Sequence, residues 1–293
     1  MTEDFKQYCI KKGYSLKTIK SKNSYVRRFF SWLVIRQLNI ELLTSEKILE
    51  CLSWCREKNI QGTALNSCLH AIRLYLDYQV EKGVITINPA LSVKIRSVTP
   101  KPKHQPLSVQ TIEAVYQWFI SLELSTEKER IVHKRDIVLL GLLLFQGLDS
   151  GDMERLKVQD FNLQQGTVYV PSSRSNAARK LKLESIQILP IQEYFLMTRA
   201  KLLRCRKESD KLVPQSKIND IVSRFTEQVK KQYTEIRGSR HIRSSVIMNW
   251  LRTNHIRQVQ YMAGHRRVSS TEKYQKEDLH DLAQQLNIYH PMK

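Results

Sequence analysis

Apolar residues recur along this chain of 293 residues mostly at helical spacing. In SLKTIKSKNSYVRRFFSWLVIRQ, Tyr25, Phe29, Trp32 and Leu33 stand three and four apart, which predicts the buried face of a helix. TSEKILECLSWCREK predicts a second helix with Thr44 or Ser45 as N-cap, and TALNSCLHAIRLYLDYQVEKG a third that Gly83 ends. Asn88-Pro89 stops any continuation. The pattern over this stretch is that of a bundle of about four helices.

The next stretch, SVTPKPKHQPLS, carries Pro100, Pro102 and Pro106, which disfavour helix and predict an extended basic connector. The expected division is a helical domain over 1–96, a linker over 97–106 and a second domain over 107–293. In the second domain SVQTIEAVYQWFISL and ERIVHKRDIVLLGLLLFQG read as helices, the latter buried. GTVYVPSS and ARKLKLESIQIL read as strands joined by the turn SRSNA. Lys180 and Lys182 alternate there with Leu181 and Leu183, so both lysines share one strand face. From Lys217 the pattern is helical to the end, where Leu279, Leu282 and Leu286 line one face. The fold class is mostly α: a helical bundle followed by an α/β domain, mainly α with a small antiparallel sheet.

Charge narrows the partner. Lys and Arg number 48 against 28 for Asp and Glu, a net charge of +20, spread along the whole length. A surplus of that size points first to a polyanion, whose condensed counterions are released on binding. Lys17, Lys20, Lys22, Arg27 and Arg28 lie among the apolar positions of the first long helix. The longest apolar run, Ile137 to Phe145, is far too short to span a bilayer, and MTEDFKQYCIKKGYS has no secretory pattern. No membrane is expected, and the protein reads as cytoplasmic. Five scattered cysteines fit reduced thiols there. Cys51 and Cys55 share a helix face, but no second pair completes a zinc site, so neither metal nor cofactor is implied.

The candidate chemistry lies in GSRHIRSSVIMNWLRTNHIRQVQYMAGHRRVSSTEKY. Arg243 opens an apolar stripe of Val246, Ile247, Trp250 and Leu251, where a guanidinium and orphan backbone N–H groups jointly suit a phosphate. A second stripe, Ile256, Val259 and Met262, ends at Gly264 and leaves His265 at the helix edge. Tyr274 follows nine residues later. Singly these are a solvated arginine, a capping histidine and a half-buried ring. Together they supply a cation, an imidazole and a phenol. A phenol with its usual pKa near ~10 attacks a phosphate only with help from cations or a base.

Arg240-His241-Ile242-Arg243, Gly264-His265 and Tyr274 resemble the tyrosine recombinase (phage integrase) family, with its His-x-x-Arg, its Gly-His and its nucleophilic tyrosine nine residues on. The resemblance implies a helical DNA-clamping bundle, a basic hinge and a catalytic domain of the tyrosine recombinase type. It implies that Tyr274 attacks a DNA phosphodiester to give a covalent 3′-phosphotyrosyl link, Arg243 clamps the phosphate, and His265 assists in proton transfer or phosphate binding. The implied partners are double-stranded DNA, a homotetramer on paired sites and accessory DNA-bending proteins. The C-terminal helix is implied to dock on a neighbouring protomer.

Two positions depart from that pattern. In FQGLDSGDMERL the family's first arginine is replaced by Asp149, and an ionised carboxylate has no proton to donate to phosphate. This is similar to integrases of Bacteroides-type mobile elements and implies a basic residue from elsewhere. Arg174, in VPSSRSNAARKLKL, is the candidate substitute, and a solvated turn residue fits it equally well. The motif's first histidine is replaced by Arg240, which donates to phosphate but is no general base near neutral pH. A register shifted by one would make His241 a neighbour of the site. The family's hairpin lysine, general acid for the leaving 5′ oxygen, corresponds to Lys180, with Lys182 next. The expected activity is site-specific DNA recombination or integration. Two other readings are a catalytically decayed DNA-binding relative that occupies or regulates recombination sites, and a topoisomerase-like nicking and rejoining enzyme.

Overall fold

The computed structural model describes residues 3–60, 62–95, 105–203, 209–214 and 217–275. The chain divides into two units, Met1–Lys101 and Pro102–Lys293. In the first unit, helices α1 (Glu3–Lys11), α2 (Leu16–Ile35), α3 (Ser45–Glu57) and α4 (Thr63–Glu81) surround one core. Ser15 caps α2 by accepting from the Thr18 backbone N–H, and Thr44 caps α3 by accepting from that of Lys47. Val26, Phe29 and Trp32 of α2 are fully buried, and Tyr25 packs at the core's edge. Gly83 takes a positive φ of 72° just beyond α4.

The second unit opens with α5 (Val109–Ile120) and α6 (Glu127–Leu144). Thr126 and Glu129 form a reciprocal capping box at the start of α6. From Ile137 to Leu144 every residue of α6 is buried, so this helix is the spine of the unit. After α7 (Ser150–Arg155) come β1 (Phe161–Asn162), β2 (Thr167–Val170) and β3 (Arg179–Lys182), an antiparallel sheet in the order β1-β2-β3. Val168 pairs with Leu181 and Val170 with Arg179, so the inward face of β3 carries Arg179 and Leu181. Helices α8 (Ser185–Glu193), α9 (Arg199–Leu203), α10 (Ile218–Gln232), α11 (Ser239–Thr253) and α12 (Ile256–Ala263) follow, and residues 269–275 form a further helix, α13.

The expected second strand is shorter than its sequence suggests. It stops at Lys182, and SIQIL belongs to α8. Glu184 and Gln187 close a capping box there, and the buried Gln187 amide exchanges hydrogen bonds of 2.9 Å with Gln146 in both directions. Those paired amides fix a helix start where alternation alone reads as strand. The two-residue β1 also extends the expected pair of strands to three. Among the described residues no helix is long and apolar enough to cross a membrane. Most of the expected connector, Cys205 and the leucine face from Leu279 to Leu286 lie outside the described residues.

Candidate active site

One buried carboxylate organises the site. Asp152, on α7, is completely inaccessible to solvent and sits where three cations converge. It accepts from Arg155 Nη2 at 2.6 Å, Arg179 Nη2 at 2.8 Å and Asn176 Nδ2 at 3.0 Å, with Arg243 Nη1 at 3.6 Å. Burial pushes its carboxyl up, but Arg179 and Asn176, with Arg243 behind them, hold it below the usual range.

Arg243 is the fifth residue of α11, one turn beyond the orphan N–H groups with which the sequence aligned it. Its guanidinium donates to the Gly147 carbonyl and, at 3.0 Å, to that of Ala263. Its side chain is 13% exposed, so it is held from behind while an edge faces outward.

Arg174 is exposed in the β2–β3 loop. The arginine that reaches the acidic cluster is instead Arg179, 1% exposed, entering from the inward face of β3. The structure therefore places Arg179, and not Arg174, against Asp152. Asp149, which stands where the family's first arginine is missing, does local work: its side chain accepts from the Asp152 backbone N–H at 2.8 Å and caps α7.

His265 follows Gly264, the C-cap of α12, whose φ of 74° lies in the left-handed region. Gly264 also leaves room for Arg179: a Cβ built there would lie 2.7 Å from the guanidinium carbon. The β2–β3 loop is pinned to this turn, since Ala177 N–H donates to the Gly264 carbonyl at 2.8 Å and Asn176 bridges His265. The imidazole Nδ1 lies 2.9 Å from the hydroxyl of Thr271, a fully buried residue of α13. The His265 and Tyr274 rings are parallel within 5°, with centroids 5.9 Å apart. Burial, then the charges of Arg243 and Arg179, lower the imidazole's pKa to about 4, so it is neutral at physiological pH. Tyr274 packs against the small cluster of Ile247, Val259 and Ala263.

The remaining candidates lie apart from this centre. Lys180 and Lys182 are exposed on the opposite face of β3 from Arg179. Lys180 Nζ donates to Gln165 at 3.0 Å, and its backbone N–H to the Tyr261 hydroxyl at 2.9 Å. Arg240 is exposed near the start of α11. His241 is buried and bonds the Gln105 carbonyl through Nε2 at 2.8 Å, away from the cluster around Asp152. Arg179, Asp152 and Thr271 escaped the sequence reading.

In the first unit, Lys17, Lys20, Arg27 and Arg28 are exposed along α2 and, with Lys6, line a shallow groove. Lys22 is buried instead, its ammonium 5.0 Å from the centre of the Tyr14 ring.

A cation cluster, a neutral imidazole and a phenol stacked on it define a site for phosphate chemistry, and the chain belongs to the phage integrase family, the tyrosine recombinases, which are DNA strand transferases. That family matches residues 120–280, and the phage integrase N-terminal SAM-like domain matches residues 2–83. The chain is 25% identical to tyrosine recombinase XerC of Proteus mirabilis over 259 residues, 85% of this chain and 80% of that protein. It is also 25% identical to tyrosine recombinase XerD of Vibrio cholerae over 291 residues, 96% and 92% of the two chains. In fold it is similar to the XerH site-specific recombinase bound to its palindromic difH substrate, with a TM-score of 0.75 at 16% identity, covering 98% and 84%.

Proposed function

We propose that this recombinase cuts and rejoins double-stranded DNA with Tyr274 as its nucleophile. The observation that carries the assignment is the parallel stack of Tyr274 on His265, beside the cluster of Arg243, Arg179 and Asp152. The Tyr274 oxygen forms a bond to phosphorus as the bond from phosphorus to the 5′ oxygen breaks. The phenol gives up one proton and the 5′ oxygen gains one, so no net proton is consumed. The phosphotyrosyl ester retains the energy of the diester, and a 5′ hydroxyl reverses the step without a nucleotide cofactor.

Arg243 faces the phosphate and stabilises the charge that develops on its oxygens. Arg179 supplies the positive charge missing at Asp149, from a strand beneath the site instead of a helix beside it. That second cation removes the main motive for reading the chain as catalytically decayed. The narrower likeness to integrases of Bacteroides-type mobile elements rests on the absent arginine. Arg240 contributes a further donor once DNA is bound. Lys180, or Lys182 beside it, protonates the leaving oxygen after the β2–β3 hairpin meets DNA. The exposed α2 groove holds backbone phosphates, in a cytoplasmic homotetramer on paired sites with accessory DNA-bending proteins as further partners.

The test is covalent trapping on a nicked duplex of a candidate site. Wild-type protein should yield an adduct that survives a denaturing gel, and Tyr274→Phe should bind with unchanged affinity and yield none. An adduct in the Phe variant would assign the nucleophile elsewhere. Affinity should fall with salt at a log–log slope of about −0.9 per phosphate neutralised.

A further inference from the structure

The nucleophile's helix carries a second group aimed at His265. Thr271 lies three residues before Tyr274 on α13 and is fully buried. Its backbone N–H donates to the Val268 carbonyl at 2.8 Å, while its hydroxyl lies against the imidazole of His265. A buried hydroxyl has no water to fall back on, so its proton needs an acceptor within the protein. Among the described residues its hydrogen-bond partner is His265 Nδ1, at 2.9 Å.

We propose that Thr271 is a positioning residue that donates its hydroxyl proton to Nδ1 of His265 and so fixes the ring as the Nε2–H tautomer, a hydrogen-bond donor towards the reacting phosphate.

This rests on the recombinase reading above for what Nε2 meets, but the hydrogen bond stands independently of it. A neutral imidazole carries one ring proton, so filling Nδ1 as an acceptor places that proton on Nε2. The charged groups around the ring agree with this arrangement. Arg243 on α11 and Arg179 on β3 oppose a second proton, Asp152 on α7 opposes them only partly, and the Tyr274 ring lies parallel to the imidazole with centroids 5.9 Å apart. His265 is therefore a neutral donor beside two fixed cations. It is not the base that takes the Tyr274 proton.

The consequence for the known reaction is specific. Without the hydroxyl the ring keeps its stack on Tyr274 but loses its preferred tautomer and in-plane orientation. The phosphate then loses one oriented donor.

The experiment uses the full chain in three forms: wild type, Thr271→Val, which keeps the shape and removes the hydroxyl, and Thr271→Ser, which restores it. Nitrogen NMR of histidine-labelled protein, with the His265 signal assigned from a His265→Gln sample, reads the tautomer directly. Wild type and Ser should show a protonated Nε2 and an acceptor Nδ1, and Val should show mixed tautomers. Adduct formation at saturating DNA should fall in Val by roughly 10²-fold, the scale of one lost oriented donor, with DNA affinity unchanged and Ser close to wild type. A protonated Nδ1 in the wild type, or a Val variant as fast as wild type, overturns the proposal. If the wild type forms no adduct, the recombinase reading fails, while the NMR comparison still decides the role of the hydroxyl.

Discussion

The α-carbon of Gly264 and the guanidinium of Arg179 share a space with no room for one more methyl group: a Cβ on Gly264 would stand 2.7 Å from the guanidinium carbon and 3.1 Å from Nε. The turn that presents His265 and the cation beneath it are thus shaped to each other. The glycine of the Gly-His pair answers to two demands at once, a φ of 74° and the close approach of a buried side chain.

Gly264→Ala should therefore lower stability by about 1–3 kcal/mol, because the left-handed backbone is strained for any side chain. It should also slow adduct formation by pushing Arg179 off Asp152. Chemical denaturation beside a trapping assay measures both, and a variant with wild-type stability would mean that the turn relaxes around the methyl group.

Arg179 and Arg174 give opposite expectations. Arg179→Ala should cut the cleavage rate by roughly 10²–10³, the loss expected for a preorganised electrostatic donor. Arg179→Lys should rescue little, because the shorter ammonium head cannot reach Asp152 and the Ala177 carbonyl at once as the guanidinium does. Arg174→Ala should keep the wild-type rate at saturating DNA. Melting curves must accompany the Arg179 variants, since the side chain is buried. A fast, folded Arg179→Ala would return the role to another cation.

Restoring an arginine at position 149 should not help. Asp149→Arg removes the N-cap of α7, a loss of about 1 kcal/mol, and adds a fourth guanidinium to those of Arg155, Arg179 and Arg243. Asp149→Asn keeps a capping oxygen and should be nearly neutral in stability. A faster Asp149→Arg enzyme would show that Arg179 only partly fills the gap.

The His265 ring makes stability depend on pH in a defined direction. Its pKa falls from 6.5 in an ordinary setting to about 4 in the fold. Between those values the unfolded chain binds a proton that the native ring refuses. The contribution is present above pH 6.5 and is lost as pH falls towards 4. Denaturant unfolding at several pH values should show a shallower acid slope for His265→Gln than for wild type. Equal slopes would mean the ring titrates normally.

Much of this was legible in the chain. The helix stripes and the caps at Thr44 and Gly264 follow from local spacing, and the grouping of Arg243, His265 and Tyr274 from the resemblance to the tyrosine recombinase motif. Arg179 was legible too, from the alternation of the strand that carries it. The alternation that sets Lys180 and Lys182 on one face of a strand sets Arg179 with Leu181 on the other, against the core. An arginine in an apolar register needs a buried anion, and Asp152 lies only three residues beyond the position of the missing arginine. Thr271 was hidden for a different reason. Three hydroxyl residues stand together at Ser269, Ser270 and Thr271, and only the turn that brings α13 onto His265 selects one of them. The early end of β3 depends on Gln146, thirty-six residues before Lys182, whose amide donates to the Lys182 carbonyl at 2.9 Å. No local window contains that partner.

Because Thr271 and Tyr274 ride on one helix, His265 meets a hydroxyl at its edge and a parallel ring beside it from the same segment. A movement of α13 that withdraws the tyrosine withdraws the hydroxyl with it. In the arrangement described, the nucleophile and the anchor of the imidazole are parts of one helical segment. If Tyr274 is the nucleophile, the readiness of both groups is set by the placement of that one segment.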